Sequence, residues 1–152
     1  MPGRIKGTYC LSISCRKDTE VMVGKLGKIK FVSGYYAYIG SALNSMDKRI
    51  KRHMEKKKKI FWHIDYLTSH KDFQPQGAYI INDTNKIECR KAAEINKSLT
   101  PIPGFGSSDC SCESHLFYAG REEGKLENLK RLLLTAGFEQ YYIDGKHNKG
   151  HE

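Results

Sequence analysis

Three tyrosines and two glycines crowd the start of the stretch GYYAYIGSALNSMDKRIKRH, Gly34 to His53, and Lys48, Arg49, Lys51, Arg52 and His53 follow at once. Aromatic hydroxyls beside so many cations suit chemistry at a phosphate. Hydrolysis of a phosphodiester needs a group that activates or orients water, positive charge to offset what gathers on the phosphate, and usually a cation at the leaving oxygen. Tyrosine is a poor base, with a pKa of about 10. Neighbouring cations are the expected means of favouring its phenolate. Taken singly, the same residues have an ordinary reading: strand tyrosines pack and helix arginines are solvated. Tyr35 and Tyr36 keep that reading.

The whole chain leans the same way. Its 26 Lys and Arg against 17 Asp and Glu give a formal charge of +9 over 152 residues. This favours a polyanionic partner, either nucleic acid or an acidic membrane surface. No apolar run approaches the roughly 20 residues of a membrane-spanning helix, so no membrane partner is expected. Cys10, Cys15, Cys89, Cys110 and Cys112 form an odd set with no secretory leader before them. Reduced thiols and a cytoplasmic, soluble protein are the expectation.

These residues need elements to position them, and the length suits one domain with a real core. Ile5–Ser14 reads as a strand. Glu20–Gly40 reads as a hairpin turning at KLGK, with a third extended run at Tyr35–Ile39 after a bend at Gly34. From about Leu43 the period becomes helical, with Met46, Ile50 and Met54 on one side and Asn44 or Ser45 as cap. IFWHIDYLTSH predicts a short second helix, QGAYIIND a strand, and NKIECRKAAEINKSL a helix with Asn85 as N-cap. TPIPGFGSSDCSCES is a loop, HLFYAG a brief strand, and EEGKLENLKRLLLTAG a last helix ending at Gly137. The expected fold class is α+β, a small mixed or antiparallel sheet flanked by helices. Residues 1–137 form the domain and 138–152 a polar tail.

Two tripeptides, GTY at Gly7–Tyr9 and YIG at Tyr38–Gly40, lie in that order, and YIG leads through GSA into a helix in which Arg49 stands nine residues after Gly40. This block resembles the GIY-YIG nuclease superfamily, whose tripeptides occupy adjacent strands of a small sheet. The resemblance implies a metal-dependent endonuclease. Tyr38 or Tyr9 would activate or orient the water, Arg49 would grip the scissile phosphate, and His53 would assist from one turn further along. It also implies one glutamate, on a later helix, as the sole protein ligand of Mg²⁺ or Mn²⁺, which keep most of their water. Glu88 is the choice for that ligand and Glu113 its rival; Glu94 lies too far along the helix.

The interval from Tyr9 to Tyr38 is longer than in many members, which implies a hairpin inserted between the motif strands. FWHIDYL and PGFGSSDCSCESHLFY lie outside the minimal core. They resemble segments of an archaeal and bacterial branch sometimes fused to a DNA-repair endonuclease, which implies repair or recombination structures as substrates and a DNA-repair protein as a partner. Zinc on Cys110, Cys112, His115 and His63 is the less favoured use of those segments, because C-x-C-x2-H is not a standard finger spacing. The favoured one is a hydrogen-bonded loop of Ser107, Ser108 and Asp109, buttressed by His63 and Asp65, that approaches the active site. Lys48, Lys51, Arg52 and the run Lys56, Lys57, Lys58 and Lys59 are expected to hold phosphates, of DNA before RNA. The rival to the enzyme is a catalytically silent nucleic-acid-binding module; a basic protein-interaction adaptor explains the charge but none of the spacings.

Overall fold

The computed structural model describes residues 6–83, 85, 87–108 and 110–141. Its first strand, β1 (Gly7–Cys15), carries apolar side chains on both faces and is buried along nearly its whole length. Such a strand belongs in the middle of a covered sheet. β2 (Thr19–Met22) and β3 (Lys28–Phe31) pair only with each other, through a 3₁₀ turn at Gly24–Leu26. They form the hairpin expected between the strands that carry Tyr9 and Tyr38. The chain then returns as β4 (Gly34–Ala42), continues into helices α1 (Met46–Met54) and α2 (His63–Thr68), and re-enters the sheet as β5 (Phe73–Asn82). Helix α3 (Glu88–Asn96), the short strand β6 (Thr100–Pro101), β7 (Leu116–Gly120), helix α4 (Lys125–Thr135) and β8 (Glu139–Tyr141) complete it.

The main sheet has the order β6-β7-β4-β1-β5-β8, and every pair in it is antiparallel. Alternation along the strands divides the core in two. Tyr9, Leu11, Ile13, Tyr36 and Tyr38 face one way, with Met46 and Ile50 of α1 and Ile64 and Leu67 of α2. Cys10, Ala37, Ile39 and Tyr79 face the other, against Ala92 and Ile95 of α3 and Leu129 and Leu133 of α4. The fold of the described residues is therefore α+β, an antiparallel sheet flanked by four helices. Among the described residues no helix is long and apolar enough to cross a membrane.

Gly7 opens β1 with φ +147°, and a Cβ there would lie 2.0 Å from the Ile81 carbonyl oxygen on β5. The first residue of GTY is thus glycine for a steric reason.

Ser45 caps α1 by accepting from Lys48 N at 3.3 Å. Asn85 does not cap α3. Ile87 holds that position without a side-chain bond, and the Asn85 amide instead donates to Asp83 Oδ1 at 2.8 Å. The expected tail from 138 is also corrected in part. Phe138 is buried, β8 pairs with β5, and the Tyr141 hydroxyl donates to Asp47 Oδ1 of α1 at 2.5 Å. An apolar residue straight after the helix stop at Gly137 lets the chain turn back and close the sheet edge. The rest of the tail lies outside the described residues.

Candidate active site

Pairing of β1 with β4 sets Tyr9 opposite Gly40 and Leu11 opposite Tyr38, so both tripeptides come together at mid-sheet. The Tyr9 ring crosses the Gly40 backbone, where a Cβ would approach its Cζ and hydroxyl to 2.5 Å. Gly40 is the groove in which Tyr9 lies. The Tyr9 and Tyr38 ring centroids are 6.3 Å apart, and His53 of α1 is 5.4 Å from the first and 6.2 Å from the second. Tyr9 Oη and His53 Nε2 are hydrogen-bonded at 2.7 Å, both residues being buried.

Burial governs the protonation of this trio. It lifts both tyrosines well above their usual range, and the Arg49 charge offsets it only in part. The expectation that neighbouring cations would favour a phenolate is overturned, because loss of water around the oxygen outweighs the attraction. Burial, reinforced by Lys58, Arg49 and Arg52 against the opposing pull of Asp65, takes His53 down to about 3 and keeps it neutral.

Arg49 donates to the Ser41 carbonyl at 2.7 Å, and its guanidinium sits 4.5 Å from the Trp62 ring centroid. Arg52 lies 4.6 Å from the same centroid. It donates to Asp65 Oδ1 at 2.7 Å and Oδ2 at 2.9 Å, while Asp65 also accepts from the Phe61 and Trp62 amides. Asp65 therefore holds Arg52 and the start of α2; of the two expected buttresses only His63 reaches the described residues of the loop, accepting from Gly106 N at 2.8 Å. Tyr9, Tyr38, Ser41, Arg49, Trp62, Glu88, Cys89, Gly106 and Cys110 line one cleft of about 370 Å³. Glu88, at the first turn of α3, is half-buried there. Burial opposes its charge, but hydrogen bonds with His115 and Ser41 and the Arg49 charge prevail and hold the carboxyl below its ordinary range.

The expected phosphate-binding lysines divide. Lys48 and Lys51 are exposed on α1, Lys51 lying 4.0 Å from Asp47. Lys57 and Lys59 are exposed as well. Lys56 donates to the carbonyls of His70 and Phe73, and Lys58 donates to Thr68 Oγ1 at 2.8 Å, its ammonium brought down to about 8 chiefly by burial. Lys56, Lys58 and Arg52 therefore hold the loop between α1 and α2 in place.

Beside the cleft lies a second cluster. Cys89, Cys110, Cys112 and His115 each present a donor atom, all within 4.8 Å of one another, and the group could hold a metal ion. His63 is not among them; Cys89 of α3 stands where His63 was expected. Asp109 lies outside the described residues. His115 Nδ1 is 2.9 Å from Glu88 Oε2. Burial works against a charge on His115, yet Glu88 foremost raises it to about 9. Glu113, the rival glutamate, is exposed, away from the cleft, and accepts from Asn96 Nδ2 at 3.3 Å.

Residues 8–137 match the family model described as Domain of unknown function DUF123. The chain belongs to this family. No curated protein and no solved structure matches it. The match takes in every residue of the cleft and of the cysteine cluster.

Sequence reasoning missed Cys89 and Trp62 in this DUF123 chain. Trp62 carried a signal, being the only tryptophan and lying in FWHID just after the basic run Lys56–Lys59. Cys89 carried none, since only the packing of α3 against the loop before β7 brings it to Cys110 and Cys112.

Proposed function

We propose that this protein hydrolyses phosphodiester bonds in nucleic acid, DNA before RNA, in the cleft bounded by Tyr9, Tyr38, Arg49 and Glu88. The observation that carries the reading is that these four side chains, from two strands and two helices, line a single cleft. The order of GTY, YIG, arginine and glutamate supports it through its likeness to the GIY-YIG nucleases. The likeness of the outer segments extends the proposal to repair or recombination structures, with a DNA-repair protein as partner. The five unpaired cysteines suit a reducing cytoplasm.

Arg49 offsets the charge gathering on the phosphate, held in place by Ser41 and Trp62. The tyrosines act as neutral hydroxyls that orient water, with His53 fixing the direction of the Tyr9 O–H. Among the described residues Glu88 is the one carboxylate lining the cleft, a donor set that fits a cation keeping most of its water, Mg²⁺ or Mn²⁺. Such an ion, when bound, supplies Lewis-acid stabilisation at the leaving oxygen.

The second reading is a binding module without catalysis, and it is favoured by the burial that denies both tyrosines a phenolate. Incubation with labelled branched, nicked, single-stranded and duplex substrates in Mg²⁺, Mn²⁺ or EDTA separates the two. The hydrolase gives product with metal and none in EDTA, and Arg49→Ala and Glu88→Gln each lose about a hundredfold or more, roughly 3 kcal/mol. Affinity of Glu88→Gln for DNA in EDTA holds or improves, because a negative charge has left a phosphate site. A wild type that binds but cuts nothing in any metal passes the argument to the binding module.

A further inference from the structure

We propose that Cys89, Cys110, Cys112 and His115 hold one zinc ion in a closed site that pins the loop before β7 to the first turn of α3. The donors lie close enough for a tetrahedral ion to draw them together: with bonds of about 2.3 Å to sulfur and 2.0 Å to nitrogen, the edges of its tetrahedron are about 3.5–3.8 Å. Here His115 Nε2 lies 3.4 Å from Cys110 Sγ and 3.9 Å from Cys89 Sγ, and all four donors fall within 4.8 Å. Apolar packing does not account for this convergence, since Cys89 is exposed to solvent. Nor does covalent bonding, for all of these cysteines are free.

His115 is turned for the purpose. Its Nδ1 faces two acceptors, the Ile39 carbonyl at 3.1 Å and Glu88 Oε2 at 2.9 Å. They hold a proton on Nδ1, so Nε2 is the nitrogen left to face the sulfurs. A carboxylate behind a ligating histidine fixes the ring and strengthens it as a donor. Three thiolates and an imidazole select zinc over hard cations, and a donor set this tight encloses one ion rather than an iron–sulfide cluster. Four protein ligands leave no open position, so the site is structural. Binding displaces the three thiol protons and any proton on Nε2.

Zinc would act on the cleft through position alone. Cys89 follows Glu88 in α3, Cys110 lines the cleft wall, and the His115 ring that meets the ion also meets the Glu88 carboxylate. The inference does not rest on the hydrolase reading, because metal content is measured without any substrate.

The test is elemental analysis of the full chain purified under reducing conditions, followed by cobalt substitution. About one zinc per chain should survive dialysis and be withdrawn by a strong chromophoric chelator. Cobalt in its place should show the intense visible bands of a tetrahedral ion and thiolate-to-metal absorption in the near ultraviolet. Cys89→Ser and Cys112→Ser should lose the stoichiometric metal, and Cys15→Ser, on β1, should keep it. Glu88→Gln should retain the ion with an affinity about 10–100-fold weaker. A wild type that takes up neither zinc nor cobalt overturns the proposal without any variant. So does zinc that Cys112→Ser retains as firmly, or a disulfide among Cys89, Cys110 and Cys112 in the folded chain. A chain that holds zinc and cuts nothing keeps this site and loses the hydrolase; one that cuts without zinc does the reverse.

Discussion

The cleft and the cysteine cluster share Cys89 and Cys110 and meet where Glu88 reaches His115, but are held together by opposite means. In the cleft, Tyr9 and His53 are fully buried and bonded to each other, Arg52 is paired with buried Asp65, and Arg49 is held by a carbonyl and an indole. Most polar groups there have partners within the protein and a core beneath them, His53 Nδ1 being a buried exception. In the cluster, the His115 ring is fixed by the Ile39 carbonyl and Glu88, but the three thiols converge on it with little besides weak sulfur contacts. A site assembled by burial should fail when its burial or pairing is disturbed. One assembled around an ion should fail when the ion leaves.

Acid should break the cleft first, and by the largest amount. His53 titrates near 3 in the fold against about 6.5 when unfolded, so the stability it contributes is complete above pH 6.5 and is lost as pH falls toward 3. The loss is on the order of 4 kcal/mol across that window. Denaturant melts in EDTA from pH 7 to 4 should show this slope in wild type and a flatter one in His53→Gln; equal slopes would remove His53 from the account. Asp65, whose carboxyl is held below its usual range against burial by Arg52 and the Phe61 and Trp62 amides, adds a further loss only at more acid pH.

Next comes Arg52→Met. It strands a carboxylate that is wholly inaccessible to solvent, with only two backbone amides left to hold it. Removing one partner of a buried pair costs about 3–5 kcal/mol, and the partial exposure of Arg52 puts this case near about 3. Because the defect lies on the cleft side, zinc content should not change, and its loss would show that the two regions do not stand independently.

The lysines sharpen the comparison further. Exposed Lys57 and Lys59 are free to meet phosphates, so replacing both with serine should reduce the slope of log K against log salt for DNA by about two. Lys56→Ser with Lys58→Ser should instead lower the melting temperature and alter the slope less. If both pairs flatten it equally, the bonds of Lys56 and Lys58 to the α2–β5 region do not restrain them in solution.

The smallest effect is expected from Glu113→Gln. Glu113 lies on the cluster side and outside the cleft, so cleavage should be unchanged and stability should stay within about 0.5 kcal/mol. If this variant lost cleavage while Glu88→Gln kept it, the metal-binding carboxylate would move to Glu113.

Much of this protein was legible in one dimension because it depends on local rules. Period-two and helical patterns located the strands and helices, Ser45 was readable as a cap, and the two tripeptides named strands that turned out to be neighbours. Asn85 was misplaced because cap preference is weak beside the turn it forms with Asp83. The domain was ended too early because one buried phenylalanine and three pairing residues give no periodic signal.

What tertiary structure alone decided was environment. The order of GTY, YIG, arginine and glutamate in the amino-acid sequence, through its resemblance to the GIY-YIG nucleases, led to the expectation that Tyr9, Tyr38, Arg49 and Glu88 lie together, and they line one cleft. It did not determine their charge states. Whether Arg49 or burial rules the tyrosine hydroxyls depends on how much water the finished core leaves around them, and that belongs to all the elements at once. The same holds for Cys89, which meets Cys110 and Cys112 only because α3 packs beside the loop before β7.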